Sequence, residues 1–216
     1  MANFSIVLFD ADGVLLDSLV SHLKICEDLS RKYGLRLSIP SAGDFKEMVR
    51  RNVPISPMKY FFKALGFPEE YIERAIGEYT DTFMRDYAPK PFPGISQMLA
   101  ELSAAGITLG IVTANVRANV ESALGEAMRF FCTGCLLSKE DMPDGSKAVA
   151  IRSLVKQLDV DPRDVLYVGD LPSDREAAVK AGVEFLGVGY GWGISVEDTG
   201  FAVAASAGEI ADYVLG

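Results

Sequence analysis

The chain has 216 residues, 49% of them hydrophobic and 24% charged, a balance that supports a packed globular core and excludes disorder. Its formal net charge of −9 excludes nucleic acid and membrane as general partners, because phosphate backbones and anionic lipid carry the same sign. The three cysteines, Cys26, Cys132 and Cys135, are an odd number that implies no disulfide framework, so a reducing, cytoplasmic location is expected.

The apolar run at the start, MANFSIVLFD, is too short for a secretory leader and ends on an acid. No window reaches the ~18 apolar residues of a membrane-spanning helix. Ser5–Phe9 (SIVLF), Thr108–Val112 (TLGIV), Val165–Val168 (VLYV) and the weaker Phe185–Val188 (FLGV) are near-continuously apolar. Runs of that kind are buried parallel strands. Between them, Ile95–Ala105 is predicted helical, with Gly106 past its end. Ser146–Leu158 follows, with Val149, Leu154 and Leu158 on one side, then Ser173–Ala181, ending at Gly182 and capped by Ser173 or Asp174. Strand and helix alternation predicts an α/β fold built on a doubly wound parallel sheet.

From about Ser18 to Pro91 the alternation stops and no strand is predicted. Leu19, Leu23, Cys26, Leu29 and Tyr33 form one helical stripe, closed by Gly34. Further helices are expected over Ala42–Arg51, Pro57–Leu65 and Glu69–Tyr87, the last with Tyr71, Ile72, Ala75, Tyr79 and Phe83 at helical spacing. The stiff run from Pro89 to Gly94 ends the segment. The expected organisation is a core of residues 1–16 and 92–216, with an all-helical insert, 17–91, placed after the first strand.

Four constellations carry chemistry. Asp10 and Asp12 stand at the C-terminal end of the first strand, where open α/β sheets bind ligands; an extended backbone would point them the same way, a turn at Gly13 would splay them. Thr113-Ala114-Asn115 follows the second strand and offers a hydroxyl and amides to an anion, although Thr113 or Asn115 could equally cap a helix. Lys147 opens a helix, a place where lysines are commonly only solvated. Asp170 and Asp174 follow a third apolar strand, as hard oxygen ligands suited to magnesium. Each has an ordinary structural explanation, yet a parallel sheet brings all four to one edge.

The order and context of Phe9–Ser18 (FDADGVLLDS), Ile111–Asn115 (IVTAN), Lys147 and Val168–Ala178 (VGDLPSDREAA) resemble the haloacid dehalogenase-like (HAD) hydrolase superfamily. Phe92-Pro93-Gly94-Ile95 and Ala177–Gly182 (AAVKAG) further resemble its phosphoglycolate phosphatase-like and β-phosphoglucomutase-like branch. The resemblance spans nearly the whole chain. It implies a magnesium-dependent phosphatase acting on a small phosphorylated metabolite through an aspartyl-phosphate. Asp10 would be the nucleophile and Asp12 the general acid and base. The Asp10 carboxylate, the Asp12 carbonyl and Asp170 would bind Mg2+, with Asp174 beside it. Thr113, the Ala114 or Asn115 N–H and Lys147 would hold the phosphoryl oxygens, cancelling locally the repulsion expected from an acidic protein. The helical insert would be the family's cap, in which Lys46, Arg50, Arg51, Lys59 and Lys63 are candidates for a substrate carboxylate or second phosphate, Arg50 and Arg51 first among them.

The chain departs from the family pattern at Val14, where many members have Thr, at Ser173, where Thr is common, and at Ala148, where Pro is frequent. None removes a catalytic group, and Asp12, absent from the dehalogenases, favours phosphoryl chemistry. The alternatives are a phosphosugar mutase, a phosphonate hydrolase, and a non-catalytic binding, regulatory or receiver-like protein on the same scaffold. Intact acids at 10, 12, 170 and 174, and the large insert, weigh against the non-catalytic readings. Cys132 and Cys135 lack a second ligand pair for zinc, and the run Phe130–Leu137 reads as a buried strand. His22 is read as a packing or surface residue. The glycine-rich run Gly187–Gly193 is read as a turn flanking the site. The chain is expected to work as a monomer or homodimer.

Overall fold

A computed structural model describes residues 4–216. The described residues form two compact units, 4–17 with 90–216, and 18–89. The first unit contains β1 (Ile6–Phe9), β2 (Leu16–Asp17), β3 (Lys90–Pro91), α5 (Ile95–Ala104), β4 (Thr108–Val112), α6 (Arg117–Leu124), β5 (Leu136–Leu137), α7 (Lys147–Gln157), β6 (Val165–Gly169), α8 (Pro172–Ala181), β7 (Glu184–Val188), β8 (Ala202–Ala204) and α9 (Ala207–Leu215). Six of its strands form one sheet in the order β5-β4-β1-β6-β7-β8, and every neighbouring pair is parallel. This is the doubly wound α/β architecture that the strand–helix alternation predicts.

The strands are apolar throughout because both faces are covered. Val7 and Phe9 join Leu109, Ile111, Leu166 and Val168 in a core lined by Leu99 of α5, Val120 of α6 and Ile210 of α9. Ile6 and Leu8 point the other way and pack with Val165, Tyr167, Ile151 and Leu154 of α7, and Ala178 of α8. Alternation along a pleated strand, period two, thus feeds two separate cores. β1 lies at the centre, with Phe9 opposite Ile111 of β4 and Val168 of β6. That register delivers the residues following β1, β4 and β6 to one edge of the sheet. Burying each of these Val, Leu and Ile side chains contributes about 1.5–3 kcal/mol, which makes the edge a stiff platform.

Four local expectations are corrected. The Phe130–Leu137 run is not a strand: a 3-10 helix covers Gly125–Phe130, a turn follows, and only Leu136–Leu137 pairs with β4. Cys132 is consequently exposed, while Cys135 is buried. Val149 faces solvent, with 47% of its surface exposed; α7 buries Ala148, Ala150, Ile151, Leu154 and Val155 instead. The N-cap of α8 is Leu171, not Ser173 or Asp174, and the backbone N–H of Leu171 donates to Asp174 Oδ2 at 3.0 Å. Finally, Leu16 pairs antiparallel with Pro91 and Asp17 with Lys90. This short ladder makes Lys90–Pro91 a strand, at the end of the stretch from Ser18 to Pro91 where the sequence predicted none.

The second unit is helical: α1 (Leu19–Lys32), α2 (Ala42–Arg50), α3 (Met58–Ala64) and α4 (Glu69–Asp86). Leu19, Leu23, Cys26 and Leu29 are buried along α1, and Ile72, Ala75 and Phe83 along α4, as the spacing predicts. His22 is a packing residue, buried and stacked on Phe83 at 4.6 Å between ring centroids, with its Nδ1 hydrogen-bonded to the Tyr79 hydroxyl at 2.8 Å.

Candidate active site

The edge formed by the C-terminal ends of β1, β4 and β6 carries Asp10, Thr113 and Asp170, one residue past each strand. Asp10 is held by its backbone, whose N–H extends the ladder to the Val168 carbonyl at 2.9 Å. Its Oδ1 accepts the Ala11 N–H at 2.8 Å, and its Oδ2 accepts from Lys147 Nζ at 2.6 Å. Lys147 stands in the first turn of α7, which Ser146 caps through the Val149 N–H. Its ammonium also donates to Asp174 Oδ1 at 2.7 Å. Asp174, fully buried in the first turn of α8, accepts the Leu171 N–H and the Asp170 N–H (3.2 Å) with its other oxygen. A carboxylate there also complements the positive end of α8.

Oxygens of Asp10, Asp170 and Asp174 all lie within 4.8 Å of one another, and all three residues are buried. Three carboxylates against one ammonium leave a formal charge of −2 in a desolvated place. Burial, with repulsion from Asp174 and Asp12, pushes Asp10 up to about 6 even though Lys147 pulls it down. Burial and the neighbouring carboxylates hold Asp170 well above the usual carboxylate range. Lys147 is raised well above its ordinary value: burial opposes its charge, but Asp10 and Asp174 outweigh that cost. The Tyr167 hydroxyl, beneath this group, donates to the Val112 carbonyl at 3.1 Å and lies 3.5 Å from Asp174 Oδ1.

Asp12 is not among these three carboxylates, though it adds to the repulsion on Asp10. The chain bends after Asp10, with the Leu15 and Leu16 N–H groups returning to the Ala11 carbonyl at 2.9 Å each. Asp12 Oδ2 accepts from Asn115 Nδ2 at 2.8 Å. The structure therefore gives Asn115 a side-chain contact with Asp12, while its backbone N–H donates to Thr113 Oγ1 at 3.2 Å. Asn115 Oδ1 is fixed in turn by the Val116 N–H at 2.7 Å. Thr113 is 1% exposed, and Ala114 is exposed beside it. Arg50 and Arg51 belong to the second unit, at the end of α2; both are exposed, and Arg51 Nε pairs with Glu47 at 2.9 Å. Lys59 pairs with Glu69 at 2.6 Å.

One participant carries no signal in its side chain. The backbone N–H of Trp192 donates to Asp170 Oδ2 at 2.6 Å. It belongs to the glycine-rich run after β7, which the sequence places beside the site without assigning it a contact. The divalent-cation requirement of such a site can be tested on these residues. Asp170 Oδ1 is buried and accepts no hydrogen bond, and the cluster has an uncompensated charge of −2. A dry carboxylate oxygen without a donor is costly unless something else completes it. An all-oxygen set fits a hard divalent ion such as magnesium. Asp10, Asp170 and Asp174 are thus an acidic group able to hold a metal.

Comparison with known proteins agrees with this fold. The family model described as haloacid dehalogenase-like hydrolase matches residues 7–188, from β1 to the end of β7. N-acetylmuramic acid 6-phosphate phosphatase of Pseudomonas putida is 29% identical over 198 residues, covering 86% of this chain and 83% of its own. Phosphoglycolate phosphatase of the same organism is 30% identical over 200 residues, covering 87% and 70%. In structure, a haloacid dehalogenase-like family hydrolase from Streptococcus pneumoniae superposes with a TM-score of 0.79 at 21% identity, over 99% of both chains. With that match running over most of the chain and enclosing Asp10, Thr113, Lys147, Asp170 and Asp174, the chain belongs to the haloacid dehalogenase-like hydrolases.

Proposed function

We propose that this protein is a magnesium-dependent phosphatase that hydrolyses a small phosphorylated metabolite through an aspartyl-phosphate on Asp10. The observation that carries the reading is the buried cluster at the sheet edge, where Lys147 reaches both Asp10 and Asp174 and Asp170 keeps one oxygen without a donor. Asp10, Asp170, Asp174 and the Asp12 carbonyl would hold the ion. When bound, it supplies two positive charges that let an anionic nucleophile and an anionic phosphate approach.

The remaining steps belong to this chain's own groups. Asp10 Oδ forms a bond to phosphorus as the bond to the leaving oxygen breaks, and Asp12 gives that oxygen its proton. Water then attacks the phosphorus of the aspartyl-phosphate and passes its proton to Asp12. Phosphate leaves, and Asp10 and Asp12 return to their starting states. Asn115 Nδ2 orients Asp12 throughout. The Lys147 ammonium and the Thr113 hydroxyl hold phosphoryl oxygens, as do the amides at the start of the helical segment after β4. Residues 18–89 would act as the cap. Both relatives are named for substrates that carry a carboxylate as well as a phosphate. We extend that class to this chain, with Arg50 and Arg51 as candidates for the carboxylate.

A screen of phosphorylated metabolites with Mg2+, and again with chelator, tests the proposal. Turnover should require the metal and vanish in Asp10→Asn while the fold persists. An Asp10→Asn variant that hydrolyses at a near-normal rate overturns the nucleophile, and full activity in chelator overturns the metal.

A further inference from the structure

The run Tyr190-Gly191-Trp192-Gly193 encloses Asp170 from several sides. The Trp192 N–H donates to Oδ2 at 2.6 Å, and the Gly193 and Ile194 N–H groups donate to the Asp170 carbonyl at 3.1 and 2.9 Å. The approach is too close for a side chain at either neighbouring glycine. A Cβ on Gly191 would stand 2.2 Å from the Asp170 Cβ, 2.6 Å from Oδ2 and 2.6 Å from the Gly13 carbonyl. A Cβ on Gly13 would stand 2.0 Å from Oδ2 and 2.9 Å from the Trp192 ring. The same run is anchored to the turn after β1, because the Tyr190 hydroxyl donates to the Val14 carbonyl at 3.1 Å. The Tyr190 ring packs on Phe92 at 4.7 Å.

These contacts have one result for Asp170: Oδ2 is committed to a neutral backbone donor, and Oδ1 is buried and left without one. We infer that the Tyr190–Gly193 run is the positioning element of the Asp170 carboxylate, fixing its rotamer through Oδ2 so that Oδ1 alone is presented to a divalent cation. The inference rests on the metal reading above and extends it to residues that do not touch the ion. A neutral N–H suits this task. It orients the carboxylate without cancelling the charge that the cation needs, as an arginine or lysine would. Loss of such supporting contacts typically weakens metal binding 10–100-fold.

The test is titration of the full chain with Mn2+, followed by electron paramagnetic resonance, on wild type, Asp170→Asn, Gly191→Ala and Tyr190→Phe, with urea midpoints measured on the same samples. Wild type should bind, and Asp170→Asn should lose binding. Gly191→Ala, whose Cβ forces a local shift and some lowering of the midpoint, should in its folded form bind about tenfold more weakly. A purely structural role would lower the midpoint and leave Mn2+ affinity as it was. A folded Gly191→Ala chain with wild-type affinity overturns the inference while the metal reading stands. Should Gly191→Ala fail to fold, Tyr190→Phe decides: an affinity at least threefold weaker supports the positioning role, and wild-type affinity overturns it. A wild-type chain that binds no Mn2+, or an Asp170→Asn chain that binds as well, overturns the metal reading and this inference with it.

Discussion

Replacing Lys147 by methionine removes the single cation from a cluster of three buried carboxylates while keeping a good helix former in the first turn of α7. Lys147 keeps only 15% of its side-chain surface exposed, and its partners Asp10 and Asp174 keep 7% and 0%. Two unit charges about 4 Å apart are worth about 4 kcal/mol at an effective dielectric near ~20. Breaking a buried pair on one side costs about 3–5 kcal/mol. Asp10 has an alternative to standing unpaired, since it can take up a proton. With its pKa at about 6, and higher once Lys147 no longer pulls it down, protonation at about pH 8 costs at most about 2.7 kcal/mol, at 1.36 kcal/mol per pH unit. The metal-free variant should therefore lose about 2–3 kcal/mol at about pH 8.

The pH dependence identifies the cause. Asp10 titrates at about 6 in the folded chain against an ordinary 3.8, so the folded state holds this proton more tightly than the unfolded one. Stability contributed by this group is lost as pH rises from about 4 to about 6 and is flat above. Without Lys147, which pulls Asp10 down, that loss continues to higher pH. The gap between variant and wild type should shrink to about 1 kcal/mol at about pH 5, where Asp10 is already mostly protonated. Urea denaturation in chelator at both pH values measures it, and Lys147→Met with Asp174→Asn should recover about half the loss at about pH 8. A loss of equal size at both pH values would mean that packing of the lysine stem, not charge, accounts for it.

Adding Mg2+ to the wild-type chain at about 100 times its dissociation constant should stabilise it by about 2.7 kcal/mol in the same denaturation assay, and Asp170→Asn should abolish the gain. Asn115→Leu removes the donor that holds Asp12 Oδ2. It should slow hydrolysis of an alkyl phosphate about tenfold and of p-nitrophenyl phosphate less than about twofold, because only the poor leaving group needs the proton; equal losses would place Asn115 in phosphate binding instead. Among the three thiols, Cys132 alone should react with iodoacetamide in the native chain. Cys26 is buried with its thiol pushed up, and Cys135 is buried and pushed up to about 12, so mass spectrometry showing early labelling of either would contradict their burial.

The main strands could be read because a parallel sheet covered on both faces demands long apolar runs, and β1, β4 and β6 have them. The acids could be read because each follows such a run. What escaped has a physical reason in each case. The C-x-x-C segment is apolar enough for a strand, but Gly134 adopts a φ of +83° and the Cys135 N–H turns back to the Cys132 carbonyl at 3.0 Å, leaving two residues to pair. Apolar content alone does not show that break. Val149 was misplaced because a helix beginning at Lys147 must first satisfy the lysine: turning residue 147 toward Asp10 commits the helix face, and Val149 is carried outward. The contact of Asn115 with Asp12 spans 103 positions and depends on the sheet bringing the ends of β1 and β4 together. The Trp192 donor is a backbone group, and any residue but proline carries one there.

The acidity of the chain and the anionic character of its expected substrate are reconciled within a few ångströms of Asp10. Three carboxylates and one ammonium amount to −2, so a divalent ion brings the group to neutrality and leaves the local charge no worse than a neutral pocket for an incoming phosphate. The rest of the chain's formal net charge of −9 is then a remote field, screened over about 10 Å at moderate salt. Burial first, with repulsion from Asp174 and Asp12, pushes Asp10 up to about 6 against the pull of Lys147, so without an ion Asp10 can shed charge by binding a proton. Metal and proton therefore compete for Asp10. Activity measured at low Mg2+ should fall more steeply on acidification than activity at saturating Mg2+, and identical acid limbs at both concentrations would separate the ion from Asp10.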